Sequence, residues 1–252
     1  MRTASTNGVF LTADWRHLLM LNWEIDPAVL EPLVPAGTEL DQHDGRTFVS
    51  LVGFRFERTR VLGLPVPFHR NFDEVNLRFY VGRDAPDGWR RGVVFIRETV
   101  PRWATALVAR WMYGERYVAC RMRSTITLVD PDQPDARGAV EYTWRGRAEA
   151  GECGLRAEMS GTPGFPAAGS HEEFITEHYW GYTARPAGGT LEYQVEHPQW
   201  RVWTAYDPQA WGDLSGFYGP VFGRVLAGPP YSAFVADGSR SVVYRGTRLA
   251  NS

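Results

Sequence analysis

Glu74, Asn76, Arg78 and Tyr80 alternate with Val75, Leu77, Phe79 and Val81. That two-residue period places a carboxylate, an amide and a guanidinium on one face of a strand and an apolar set on the other. The proline-punctuated turn just upstream carries His69, Arg70 and Asn71. In a pocket, Glu74 would serve as a general acid or base and Asn76 would donate hydrogen bonds. His69, Arg70 and Asn71 would hold an anionic substrate group at the entrance. In an open two-layer sheet such a face meets water, and Arg78 and Tyr80 are expected on a solvated part of it. Only a curled sheet turns the same residues into a site.

Other segments offer further chemistry. The stretch VVFIRETV, residues 93–100, ends in Arg97 and Glu98, and YGERYVACRM, residues 113–122, holds Glu115 and Cys120. Glu98 and Glu115 join Glu74 as candidate acid/base groups, and Arg97 and His178 join the candidate substrate contacts. A thiolate beside Arg121 would be lowered in pKa, but a buried inert thiol is the commoner fate of a single cysteine. The pairs Glu177-His178 and Glu196-His197 are of metal-ligand type. They lack an HExxH or comparable spacing, so neither a metal nor a cofactor is expected.

Composition narrows the chemistry. The chain contains no lysine; all 27 basic residues are arginine. A Schiff base needs an amine that can lose its proton, which guanidinium cannot supply. Pyridoxal chemistry, lysine-imine decarboxylation and the usual phosphate-binding loop are therefore excluded. A formal charge of −2 argues against nucleic acid or an anionic membrane as partner. Two cysteines build no disulfide framework. No stretch reaches the roughly 18 apolar residues of a membrane span. The expectation is a cytoplasmic protein.

The elements that must position these residues are mostly strands. Alternation predicts them at 17–25, 46–58, 72–82, 92–99, 121–129, 139–148, 154–160, 190–196, 200–206, 232–236 and 241–249, with Asp237-Gly238 turning the last pair as a hairpin. Asp26-Pro27 starts a short helix, Pro101 opens another over 101–114, and Ser170 with Glu173 forms a capping box. A short or broken helix is expected over 208–226, interrupted by Gly212, Gly216, Gly219 and Pro220. Residues 1–252 read as a single, mainly β domain with peripheral helices. Trp200, Trp203 and Trp211 leave a homo-oligomer contact open beside ordinary core packing.

LNWEIDPAVLEPLVPAGTELD, PVPFHRNFDEVNLRFYV, RRGVVFIRE, FITEHYWGYT, VEHPQWRVW and SAFVADGSRSVVYRG together resemble the YqjF-like family, a domain of unknown function. At greater distance that family is similar to the acetoacetate decarboxylase-like superfamily. The resemblance implies a closed antiparallel β-barrel with its site inside, and Glu74 matches by motif a glutamate that shapes the decarboxylase site. Two departures matter. The catalytic lysine expected near 113–122 is absent, and the substrate-binding arginine is replaced by the run Trp23-Glu24-Ile25-Asp26. The implied function is binding of a small organic molecule, an anionic carbonyl or enol compound, with or without lysine-independent acid/base catalysis of lyase or isomerase type. The alternative is a binding or sensing module without chemistry.

Overall fold

The computed structural model describes residues 8–65, 70–101, 117–129, 137–146, 151–186 and 188–249. Its strands are β1 (Val9–Ile25), β2 (Glu39–Leu40), β3 (Thr47–Val61), β4 (Leu64–Pro65), β5 (Phe72–Ala85), β6 (Gly88–Pro101), β7 (Tyr117–Thr127), β8 (Arg137–Arg145), β9 (Cys153–Ser160), β10 (Trp180–Ala184), β11 (Thr190–Glu196), β12 (Val202–Trp211), β13 (Ser232–Tyr244) and β14 (Thr247–Arg248). The mainly β expectation holds, and the long alternating runs of the sequence are the long strands.

Pairing from β5 through β3, β1, β13, β11, β10 and β6 returns to β5. A second route from β6 to β13 runs through β7, β8, β9 and β12. The pairing is not wholly antiparallel, because β6 runs parallel to both β10 and β7.

Consequently β1, β3 and β5 are buried on both faces over most of their length. Val75, Leu77, Phe79 and Val81 pack with Leu19, Leu21, Val49 and Leu51 against Val140, Tyr142, Leu155 and Met159 of the second route. At that contact a Cβ on Gly53 would lie 2.5 Å from the Tyr142 ring, so only glycine lets β8 approach β3 this closely. The opposite faces of the same strands form a second core with Val52, Phe54, Phe56, Phe72, Phe174 and Val195. A strand buried on both sides gains its apolar stabilisation twice, at roughly 1.5–3 kcal/mol for each fully buried large side chain.

Two bulges decide which residues look inward. In β1, Arg16 pairs with Arg55 and Leu19 with Gly53, so one extra residue is accommodated with His17 at φ 55°. Inward residues thus change parity, from Leu11, Ala13 and Trp15 to Leu18 and Met20. In β6, Leu77 pairs with Arg97 but Arg78 with Phe95, which sets Phe95 and Glu98 on the same side.

Several local expectations need correction. Asp237-Gly238 is not a hairpin turn: β13 runs straight through it, with Gly238 paired to Arg16. Gly238 has φ 77°, and a Cβ there would lie 2.0 Å from the Trp15 carbonyl oxygen, so the glycine serves close strand approach rather than chain reversal. Residues 208–211 belong to β12, and the helix expected over 208–226 is two short ones, Leu214–Tyr218 and Pro220–Leu226, separated at Gly219 with φ 88°. Pro101 is the last residue of β6, and the rest of the helix expected over 101–114 lies outside the described residues.

Caps behave as the sequence indicates. Ala28 N donates to Asp26 Oδ1 at 2.9 Å. In the helix His171–Thr176, Glu173 N donates to Ser170 Oγ at 3.2 Å, and Gly169 N donates to Glu173 Oε2 at 2.6 Å. Among the described residues no helix is long and apolar enough to cross a membrane.

Candidate functional site

Between the inward faces of the ring lies a cavity of about 80 Å³. A water needs roughly 10–15 Å³ by the same kind of measure, so there is room for several. Aromatic and aliphatic side chains make most of its wall, including Phe54, Phe72, Phe95, Trp180 and Tyr193. Into this wall are set Glu74, Asn76, Arg78, Glu98 and His178.

The polar group is organised by sheet register. Glu74, Asn76 and Arg78 are successive inward positions of β5, and Asn76 lies directly opposite Glu98 on β6. Glu74 and Glu98 are therefore diagonal neighbours, a relation that spans roughly 7–8 Å between backbones. Asn76 Nδ2 donates to Glu74 Oε1 at 3.1 Å, and Tyr117 OH donates to Glu98 Oε1 at 2.7 Å. Glu74 is 5% exposed, Asn76 2% and Glu98 1%. Two enclosed carboxylates thus converge on one space, each oriented by a neutral donor.

Some polar atoms at the cavity have no hydrogen bond. Asn76 Oδ1, Arg78 Nε, Trp15 Nε1 and both ring nitrogens of His178 are buried and have no hydrogen-bond partner among the described residues. Burying such groups unsatisfied costs about 1–3 kcal/mol each. Arg78 also donates from Nη2 to the Ile175 carbonyl oxygen at 3.2 Å and sits over the Tyr80 ring at 5.6 Å.

His178 lies tilted against Tyr80, with ring centroids 4.6 Å apart, and meets Phe174 edge-on. Burial pushes its pKa down to about 4; Asp41 opposes the shift, while Arg91 and Arg78 reinforce it. The imidazole is neutral at pH 7. Asp41 Oδ2 lies 3.8 Å from His178 Nε2, too far for a hydrogen bond, and accepts from Arg91 Nε at 2.8 Å. Burial acts to raise the Asp41 pKa, but His178 and Arg91 together outweigh it and hold the carboxyl below its ordinary range.

The sequence candidates divide accordingly. Glu74, Asn76, Glu98 and His178 line the cavity. Arg97 does not: as the neighbour of Glu98 it points to the other face, where it sits 5.3 Å over the Phe217 ring. Arg70 is exposed outside the cavity lining, and Asn71 is also exposed, its Oδ1 accepting from Arg58 N at 2.9 Å. His69 and Glu115 lie outside the described residues. Arg78 and Tyr80, expected toward solvent, are turned inward: Arg78 lines the cavity, and Tyr80 is 1% exposed with its hydroxyl 2.5 Å from Ser50 Oγ. Cys120 is buried.

Trp15, Tyr117 and His197 also line the cavity and were not singled out as site residues. His197 stacks on Trp200 at 4.0 Å. Tyr117 meets Glu98 through the parallel pairing of β6 and β7, which no local pattern announces, and a bulge sets the parity of Trp15. Among the described residues no group of three His, Cys, Asp or Glu side chains is placed to hold a metal.

Residues 12–237 match the family model DUF2071, described as "Uncharacterized conserved protein (COG2071)". The chain belongs to this family. It is 32% identical over 137 residues to the uncharacterized protein YqjF of Bacillus subtilis (strain 168), a match spanning 52% of this chain and 55% of that protein. Among solved structures, an acetoacetate decarboxylase-like enzyme from Sphingomonas wittichii RW1 is similar over 100% of this chain and 98% of its own, with TM-score 0.63 and 16% identity. The enduracididine biosynthesis enzyme MppR complexed with pyruvate is similar over 99% and 93%, with TM-score 0.66 and 12% identity. Acetoacetate decarboxylase from Legionella pneumophila gives TM-score 0.61 at 12% identity over 100% and 92%. These likenesses establish an acetoacetate decarboxylase-like fold.

Proposed function

We propose that the strand ring acts as a closed barrel whose cavity binds a small, largely apolar carbonyl or enolisable compound, and that Glu74 and Glu98 move protons on it. The observation that carries this reading is the pair of enclosed carboxylates set two residues apart in register on β5 and β6, facing one apolar space. In a water-poor site a carboxylate removes a proton next to a carbonyl, giving an enolate and a protonated carboxyl group. Arg78 and the unbonded Trp15 indole N–H supply positive charge and a donor for the developing oxyanion. Return of the proton to a different carbon completes an isomerisation.

Lysine-imine chemistry has no place in this scheme, since the chain has no lysine. A carbonyl ligand is in keeping with the pyruvate bound by the structurally similar MppR. Among the described residues Arg78 is the only cation lining the cavity, and it would anchor a ligand carboxylate. The 252 residues act as one unit, and the free thiols of Cys120 and Cys153 suit a cytoplasmic setting. A binding module without catalysis is the second reading, favoured by the predominantly aromatic and aliphatic wall.

The test is a thermal-shift screen of small ketones, diketones and 2-oxo acids, since a ligand that binds the native state raises its melting point. A hit should bind at least about tenfold more weakly to Glu74→Gln and Glu98→Gln, a loss of about 1.4 kcal/mol. Unchanged affinity in both variants, with folding intact, would move the site elsewhere.

A further inference from the structure

On the outer side of β1, opposite Trp15, the residues Thr12, Asp14 and Arg16 floor an open depression of about 580 Å³. Arg58 and Arg60 of β3 and Arg240 of β13 complete its rim. Four guanidinium groups against one carboxylate leave a formal surplus of three positive charges in a chain whose net charge is −2.

Asp14 does not neutralise this cluster evenly. It is 6% exposed and is engaged by Arg58, with Arg16 at 4.0 Å. Arg60 and Arg240 have no carboxylate within ion-pair distance among the described residues. Arg60 makes only a long 3.4 Å bond to the Gly63 carbonyl oxygen, and the nearby Glu57 pairs with Arg55 instead. Arg58, Arg60 and Arg240 are exposed.

The backbone is strained at the same place. Among the described residues five non-glycine positions have positive φ, and three of them, His17, Arg58 and Leu62, flank this depression. Thr12 pairs with Arg60 and Asp14 with Glu57, so β3 carries an extra residue there, and this bulge is what aims Arg58 back over Asp14. Strain of order 1–3 kcal/mol per residue persists where surrounding structure holds it, commonly at ligand sites.

We propose that this arginine depression binds a phosphate-class oxyanion, a small phosphate ester or pyrophosphate. Arg60 and Arg240 are its principal clamps, and Asp14 fixes Arg58. Guanidinium forks match the oxygens of a phosphoryl group two at a time. A dianion or higher charge offsets the surplus of three, which a single carboxylate does not. The cluster is one depression on three adjacent strands rather than a stripe, which favours a compact ligand over a nucleic-acid strand. This site is separate from the cavity and stands or falls independently of it.

Titration calorimetry with sodium pyrophosphate, orthophosphate and glycerol 3-phosphate, against sodium chloride at matched ionic strength, tests the proposal. The expected result is single-site binding of at least one phosphate species and at least about tenfold weaker binding by the Arg60→Ala/Arg240→Ala double variant. Preference for glycerol 3-phosphate over orthophosphate would assign the site to esters, and preference for pyrophosphate to the free anion. Because both substituted side chains are exposed, the double variant should melt as the parent does, and its cavity ligands should bind unchanged. Equal binding by parent and variant, heats no larger than those of chloride, or a short single-stranded RNA displacing pyrophosphate would each overturn it.

Discussion

The two faces of β5 show how one strand builds two different environments. On one side Val75, Leu77, Phe79 and Val81 are fully enclosed by apolar neighbours. On the other, Glu74, Asn76 and Arg78 border a space that protein atoms do not fill, with Asn76 Oδ1 and Arg78 Nε left without hydrogen bonds. The first face is optimised for packing, the second tolerates buried polarity that packing alone would remove. Stability and function should therefore separate by residue parity along a single strand.

The largest break should come from the packed face. Phe79→Ala, at a side chain with no exposed surface, is expected to cost about 3–5 kcal/mol in urea denaturation, because transfer and cavity costs add.

Acidification should act next, through the cavity side. His178 has the ordinary histidine pKa of about 6.5 when unfolded but titrates at about 4 when folded. Between those values the unfolded chain binds the extra proton, so stability is retained above about pH 6.5 and lost as pH falls toward 4. The loss from this fully enclosed ring is on the order of 3 kcal/mol. His171, also lowered to about 4 but only half-buried, adds a smaller share. Chemical denaturation at a series of pH values, parent against His178→Phe, should show the variant with a flatter acid limb.

A smaller effect, roughly 1–3 kcal/mol, is expected for Gly53→Ala, whose new methyl would press on the Tyr142 ring. Tyr142 cannot swing aside freely, because its hydroxyl donates to the His17 carbonyl oxygen at 2.9 Å. A lowered melting temperature with unaltered ligand affinity would place this contact wholly on the packed side. Glu74→Gln should shift denaturation by less than about 1 kcal/mol while weakening ligand binding, the reverse pattern. Smallest of all, Arg97→Ala should leave ligand affinity unchanged and cost about 1 kcal/mol or less, the worth of a partly exposed cation–π contact.

Much of this division was legible in the sequence. The alternation over 74–81 exposed the two faces of β5, and the same rule applied to Arg97 and Glu98 excludes both from one cavity, since strand neighbours point to opposite sides. What alternation does not carry is enclosure, which depends on pairings as remote as β11 with β13. Hence Arg78 and Tyr80 read as solvated when they are inward. Bulges hide too: the extra residue at His17 sets the parity of Trp15, and nothing in the local pattern announces it. Asp237-Gly238 misled for a related reason, because positive φ suits a tight turn and a close strand crossing alike.

The most direct test of the enclosed carboxylate pair is proton NMR of a cavity-binding ketone in heavy water, following loss of the signal from the hydrogens next to its carbonyl. Exchange accelerated by the parent protein, and reduced to the buffer rate by both Glu74→Gln and Glu98→Gln, is the predicted result. Firm binding of that ketone with exchange no faster than in buffer would contradict proton transfer by these residues and leave only a binding pocket.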